Sequence, residues 1–145
     1  MLAELAIGKD IVVGKLGCIS FPPAFYAYVG SAMGGFSTRL AHHLRKEKKL
    51  HWHIDYLLEQ ADIREVILCR SEKKIECFLA QALAREFPSV SGFGSSDCKC
   101  QSHLYFARGN NSLKAKVTEA INRVDPTCEV LPEAFVSGTK DGKVF

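Results

Sequence analysis

With 145 residues, 47% of them hydrophobic and 24% charged, the chain has the make-up of one globular domain, long enough to bury a core without a disulfide or a metal. Its net charge of +3 permits a nucleic-acid partner without requiring one, and no apolar run approaches the ~18 residues of a membrane span. The opening MLAELAIGKD lacks the basic start and apolar stretch of a signal peptide, so the reading is a cytoplasmic protein with no membrane partner and no disulfide framework among its six cysteines.

Residues 2–6, 11–13 and 18–21 read as short strands punctuated by Gly8, Gly14 and Gly17, the pattern of a β-meander, which Pro22-Pro23 then breaks. FYAYVG at 25–30 is the next strand, and its period of two sets Tyr26 and Tyr28 on one face and Phe25, Ala27 and Val29 on the other. After a turn at 31–35, Phe36, Leu40 and Leu44 mark the buried stripe of a helix over about 36–48. HWHIDYLLEQ starts a short helix or an extended turn, and REVILC at 64–69 is a buried strand. Ile75, Phe78, Leu79, Ala82 and Leu83 recur with the helical period, predicting a helix over about 73–87 that Pro88 stops. A loop rich in glycine and serine leads to a strand at 103–107, a helix at about 112–123 capped by Asn111, and a strand at 127–131. With no internal repeat and no dividing linker, residues 1–145 form a single α+β domain, a small mainly antiparallel sheet flanked by helices.

Several clusters carry chemistry. Tyr28, and with it Tyr26, lies at the rim of its strand; the turn with Gly30, Ser31, Gly34 and Gly35 leaves backbone amides unobstructed, and the next helix points its positive end at that rim. Arg39 is one turn into the helix, with His43 at i+4 on the same face, so a phosphate would meet amides, a helix end and a guanidinium together. The rival reading is a tight strand-to-helix connection with ordinary surface charges. His51, His53 and Asp55 form a second group, in which a carboxylate-held imidazole could contact phosphate or serve as a general acid, or in which the histidine pair simply starts a helix. Cys98, Cys100 and His103 are three borderline-soft donors on one loop; zinc would need a fourth, which His51, His53 or Cys77 could supply. Taken alone, Cys69 and Cys77 read as small packed hydrophobes.

Tyr28-Val29-Gly30, followed by Arg39 and His43 in RLAHH, resembles the second half of the GIY-YIG nuclease signature. Together with GSAMGG, KKLHWHIDYLL, the helical IEC and FGSSDCKCQSHL, in that order, the chain from about 11 to 106 is similar to the Uri-type endonuclease family of that superfamily. The resemblance implies a small antiparallel sheet flanked by helices and a metal-dependent hydrolysis of DNA phosphodiester bonds, in repair or processing. It further implies that Tyr28 orients or deprotonates the attacking water, Arg39 neutralises the scissile phosphate, Glu76 holds Mg²⁺ or Mn²⁺, and Ser95, Ser96 and Asp97 belong to the site wall. Glu76 shares a side of its helix with Leu79, Ala80 and Leu83, at the edge of the apolar stripe. The Gly-x-Tyr half of the signature is absent, which leaves an upstream start, an inactive protein, or Tyr26 in the missing tyrosine's role; a clipped start is favoured. The alternative to an endonuclease is a non-catalytic nucleic-acid-binding module of nuclease-like fold, with zinc as a candidate stabiliser. A domain this small offers little contact area, so a homodimer or a partner repair protein is expected alongside DNA.

Overall fold

The computed structural model describes residues 1–31, 41–45, 49–69, 75–124 and 128–131. In chain order these form strands β1 (Leu2–Leu5) and β2 (Lys9–Val12), a 3-10 turn (Gly14–Leu16), β3 (Cys18–Phe21) and β4 (Ala24–Tyr28). A helical turn at 41–44 follows. Then come helix α1 (His53–Leu58), β5 (Asp62–Leu68), α2 (Glu76–Ala84), β6 (Leu104–Ala107), α3 (Asn110–Val124) and β7 (Glu129–Leu131). The rest of the helix expected over 36–48, with Arg39, Gly34 and Gly35, lies outside the described residues.

Five strands make one antiparallel sheet in the order β6-β4-β1-β5-β7. Helices flank it, giving the α+β class that the sequence predicts. β7 pairs with β5 and α3 packs on β4 and β6, so the described C-terminal elements share this sheet.

The strand period sorts the core into two layers. Tyr26, Tyr28, Leu104, Ala3 and Leu5 face one way, onto Phe21, Phe93, Ile54 and Leu57. Leu2, Ala27 and Tyr105 face the other way, under Ala80, Leu83 and Leu113 of α2 and α3. Both faces are therefore covered, and Tyr26 is 1% exposed.

The first three strands do not form a meander. β2 and β3 pair only with each other as a separate hairpin, and β4 pairs with β1. Pro22-Pro23 supplies the reason: two residues without amide protons cannot extend the β3 ladder, so the chain turns and re-enters the main sheet. α1 resolves the ambiguous HWHIDYLLEQ as a helix. Asp55, its third residue, accepts the Trp52 amide at 2.9 Å, the reach-back half of a capping box. α3 starts at Asn110, so Asn111 lies within the first turn and is not the residue before it.

Past α2 the segment 88–90 runs beside β6. Val90 N–H donates to the Leu104 carbonyl at 3.0 Å, Phe106 N–H donates to the Pro88 carbonyl at 3.1 Å, and Ser89 pairs with Tyr105.

α2 lies on the sheet through Leu79, Ala80 and Leu83, a face rotated from the apolar periodicity. Ala80 has no exposed surface, and its small side chain lets the helix approach Ala27 and Tyr105 closely. Phe78, which the periodicity places in the buried stripe, is 45% exposed and borders a shallow groove with Lys116 and Arg123 of α3. This orientation separates two truncations. Leu83→Ala should destabilise by about 2–5 kcal/mol, whereas Phe78→Ala should change stability by less than about 1 kcal/mol, both read from urea unfolding midpoints. Equal losses would mean that the helix is rotated.

Candidate functional site

Tyr28 ends β4, opposite Leu104, and the next amide, Val29 N–H, donates to the His103 carbonyl at 2.9 Å. Strand pairing thus sets Tyr28 beside the residue where the cysteine-bearing loop rejoins the sheet. The Tyr28 ring is 7% exposed and fits between two glycines. A Cβ on Gly30 would lie 2.8 Å from its Cε1, and one on Gly94 would lie 2.9 Å from its Cε2. Gly94 also has φ of +69°, a conformation that side chains other than glycine's resist. The ring is therefore fixed by close backbone on both sides. Phe93 meets its face or edge with ring centroids 6.3 Å apart, and His43 does so at 6.4 Å.

Behind His43 lies Asp55, which has no exposed surface. Its Oδ1 is 3.3 Å from His43 Nδ1, and its Oδ2 is 3.0 Å from His42 Nε2 and 2.9 Å from each of the His51 and Trp52 amides. Burial by itself would raise the carboxyl pKa. Hydrogen bonds from His43, the His51 and Trp52 amides and His42 outweigh it and hold the group well below the usual carboxylate range. Trp52 packs edge-on against His42, His43 and His51 at centroid distances of 4.8, 5.4 and 4.8 Å. The sequence pairs Asp55 with His51 and His53 as a substrate contact, and the structure corrects this. The carboxylate is inside the protein, its imidazole partners are His42 and His43, and His51 reaches it only through its amide. His51 is exposed, with its ring against Trp52.

His53 has a different task. Its Nδ1 accepts the Gly94 amide at 2.8 Å, tying α1 to the loop that walls Tyr28. Burial pushes its pKa down. Tyr26 is likewise a structural residue. Its hydroxyl donates to the Pro22 carbonyl at 2.6 Å, and burial raises its pKa, so the phenol is committed to a main-chain contact. Gly30 is exposed and Ser31 half-buried at the end of the described strand.

The loop 91–103 brings a second group together. Cys77 of α2, Cys98, Cys100 and His103 place their donor atoms within 4.8 Å of one another, a cluster that could hold a metal ion. Cys98 Sγ is 3.4 Å from His103 Nε2, and Ser95, buried, receives the Cys98 amide and thiol on its carbonyl. Burial, then the neighbouring Cys77 and Cys98 thiols, push the Cys100 thiol up to about 12. A thiol crowded by two others resists ionising unless a cation compensates it. Cys77 is therefore not the packed small hydrophobe of the sequence reading, since the start of α2 aims it at the loop. Burial lowers the His103 pKa against the pull of the Asp97 and Glu76 carboxylates, which puts Glu76, half-buried at the first turn of α2, within electrostatic range of this loop. Ser96 and Asp97 are exposed on it.

Tyr28, His43 and Asp55 are thus contiguous. His103 joins them through Gly94, whose Cβ position lies 3.2 Å from the His103 Cβ, and the Glu76 carboxylate acts on His103 through its charge. Arg39 is outside the described residues. The sequence assigns no site role to His42, Trp52, Phe93 or Gly94, although Trp52 lies in KKLHWHIDYLL and Phe93-Gly94 opens FGSSDCKCQSHL.

The His53 tie gives a pH dependence. The folded imidazole sits below the 6.5 of a free histidine, so its contribution is complete above about pH 6.5 and is lost as pH falls through the folded value. His53→Asn keeps an acceptor for the Gly94 amide and removes the titration. The fall in unfolding free energy between about pH 7 and pH 5 should be shallower in the variant than in the parent chain. An unchanged slope would mean that His53 does not titrate on unfolding.

No helix among the described residues is long and apolar enough to cross a membrane. No curated protein and no solved structure matches the chain. A family model does match, over residues 1–126, nearly all of the sequence that builds the sheet and both clusters, and by that match the chain belongs to the family described as Domain of unknown function DUF123.

Proposed function

We propose that this DUF123 protein is a metal-dependent endonuclease of the GIY-YIG type, related to the Uri-type enzymes, that hydrolyses DNA phosphodiester bonds. The observation that carries the reading is the Tyr28 ring, immobilised between Gly30 and Gly94, with the Asp55-bonded His43 ring crossed against it at a centroid distance of 6.4 Å. A phenol held so firmly beside an oriented imidazole is suited to aligning a water molecule for attack on phosphorus. In this reading Arg39 neutralises charge on the phosphate oxygens, and Gly30, Ser31, Gly34 and Gly35 supply amides to them. Glu76, a hard oxygen donor that reaches solvent at a helix start, fits the requirements of Mg²⁺ or Mn²⁺, and a cation there would add Lewis-acid neutralisation of the phosphate.

We infer that the ion of the cysteine–histidine cluster is zinc. A tetrahedral zinc with Zn–S near 2.3 Å holds its donors about 3.8 Å apart, and donors already within 4.8 Å of one another need only a small contraction. Four protein ligands leave no open position, which makes the centre a structural one. That closure also favours a second reading, a zinc-stabilised module that binds nucleic acid without cutting it.

Two measurements separate these readings. Branched, single-stranded and duplex DNA, incubated with the full chain and Mg²⁺ or Mn²⁺, should be cut, and Glu76→Gln and Arg39→Ala should each lose at least ~100-fold in rate. Undiminished cutting in either variant would remove that residue's role, and salt-sensitive retention of DNA without cutting would select the binding module. Metal analysis of the purified chain should give one zinc per molecule, with loss of that zinc in Cys77→Ala. Cobalt substitution should produce the thiolate-to-cobalt absorption of a tetrahedral site. A chain that purifies without zinc and takes up no cobalt would overturn the zinc assignment.

A further inference from the structure

Two matching stripes line the shallow groove between α2 and α3. One is Phe78, Ala82 and Arg85, the other Lys116, Ala120 and Arg123, each at i, i+4 and i+7 of its helix. Lys116 Nζ bonds Glu86 at 2.8 Å, whereas Ala120 and Ile121 pack with Leu79, so the helices run antiparallel. Phe78 therefore lies at the Arg123 end and Arg85 at the Lys116 end, with an alanine from each helix between them to give the groove its depth. We infer that this groove binds single-stranded nucleic acid, with a base stacked on Phe78 and neighbouring phosphates held by Arg85, Lys116 and Arg123.

An aromatic ring with cations around it matches what a single strand offers. Every base has a face that stacks on a ring, and every phosphate needs a positive charge. Phe78 is 45% exposed, and no ring stacks on it among the described residues. Arg85 is exposed and has no acidic partner among the described residues. The two are seven residues apart, about 10 Å along the helix axis, the reach of a short strand segment. A duplex fits less well, because its bases are already stacked on one another and leave no free face for the ring. The inference rests on the nucleic-acid partner that both readings above share, and deepens it by naming the form of the strand and a surface apart from Tyr28.

Glu119 works against this use. Its Oε1 is 2.7 Å from Arg123 Nη2 and its Oε2 is 3.6 Å from Lys116 Nζ, so it engages two of the groove's cations. Glu119 and Arg123 are both exposed, and ion pairs at such positions are weak, so phosphates can compete for the same cations. The acid therefore restrains binding without forbidding it.

The test is fluorescence anisotropy of the full chain with a fluorescein-labelled oligodeoxythymidine, without added Mg²⁺ or Mn²⁺ so that binding is read apart from cutting. The parent chain should bind at low salt, and unlabelled single strand should compete better than a duplex of equal length. Phe78→Ala, a truncation that leaves the fold nearly as stable, should weaken binding by about 5–100-fold without changing its salt dependence. Arg85→Gln should reduce the slope of log affinity against log salt by about 0.7, the share of one phosphate contact on a single strand. Glu119→Gln should tighten binding by about 2–5-fold.

A Phe78→Ala chain that binds like the parent overturns the inference, as does a parent chain with no affinity for the oligonucleotide at low salt. Weaker binding by Glu119→Gln also overturns it, because the acid would then be a contact. A duplex that competes as well as the single strand removes the single-strand assignment. Polyglutamate that displaces the oligonucleotide from the parent and itself binds through Phe78 would give the groove to an acidic peptide. A dimer in sedimentation velocity that Phe78→Ala dissolves would give it to a second copy of the chain. Either result overturns the nucleic-acid occupant. The failures are separable. A chain that binds the oligonucleotide through Phe78 and cuts no DNA keeps the groove and loses the hydrolytic reading. A chain that cuts with metal and binds without regard to Phe78 keeps the hydrolytic reading and loses the groove.

Discussion

The pairing of β4 with β6 is the constraint on which the other features depend. It sets Tyr28 opposite Leu104 and bonds the next amide to the His103 carbonyl. A slip of one residue in that register would exchange the two faces, sending the tyrosines toward α2 and α3 and Ala27 toward Phe93. With the register as it is, the loop ending at His103 has to return across the Tyr28 ring, and only a residue without a side chain, Gly94, can make that passage. The aromatic clamp and the cysteine–histidine cluster are therefore two outcomes of the same ladder.

Two polar devices flank this ladder, and each is stabilised in a different way. On one side a buried carboxylate is held, among the described residues, by His42, His43 and the amides of His51 and Trp52, so its desolvation is offset within the protein. It joins the helical turn at 41–44 to the start of α1, two segments that no strand pairing connects. On the other side the thiols of Cys77, Cys98 and Cys100 crowd together, an arrangement that is favourable once a cation balances it. His53, bonded to the Gly94 amide, links the first device to the loop of the second.

The sequence discloses features that depend on local periodicity. Tyr26 and Tyr28 sharing a face and the antiparallel α+β layout follow from spacing along single segments, whereas HWHIDYLLEQ reads equally as a helix or an extended turn until it is placed. Three cysteine-cluster donors were also legible, since Cys98, Cys100 and His103 lie on one loop. Features set by tertiary packing were not legible. The period of α2 is the same whether Phe78 or Ala80 lies against the sheet, and the small volume of Ala80 decides it. Cys77 has the neighbours of a core residue until α2 is placed beside the loop. Asp55 could be paired by spacing only with its own neighbours, His51 and His53, whereas folding brings His42 and His43 to it from a preceding segment. β1, β2 and β3 are neighbours in sequence without being neighbours in one sheet, so a meander does not form.

β6 is the terminal strand of the five on its side, and the stretch from Pro88 to Val90 has consequences for the molecule's neighbours. By bonding Leu104 and Phe106 along the outer rim, it occupies main-chain groups that a foreign strand would otherwise use as a template. A foreign strand therefore cannot add directly to β6 over Leu104–Phe106. It would have to displace the Pro88–Val90 segment first or meet a rim that begins with a proline, which has no amide to offer.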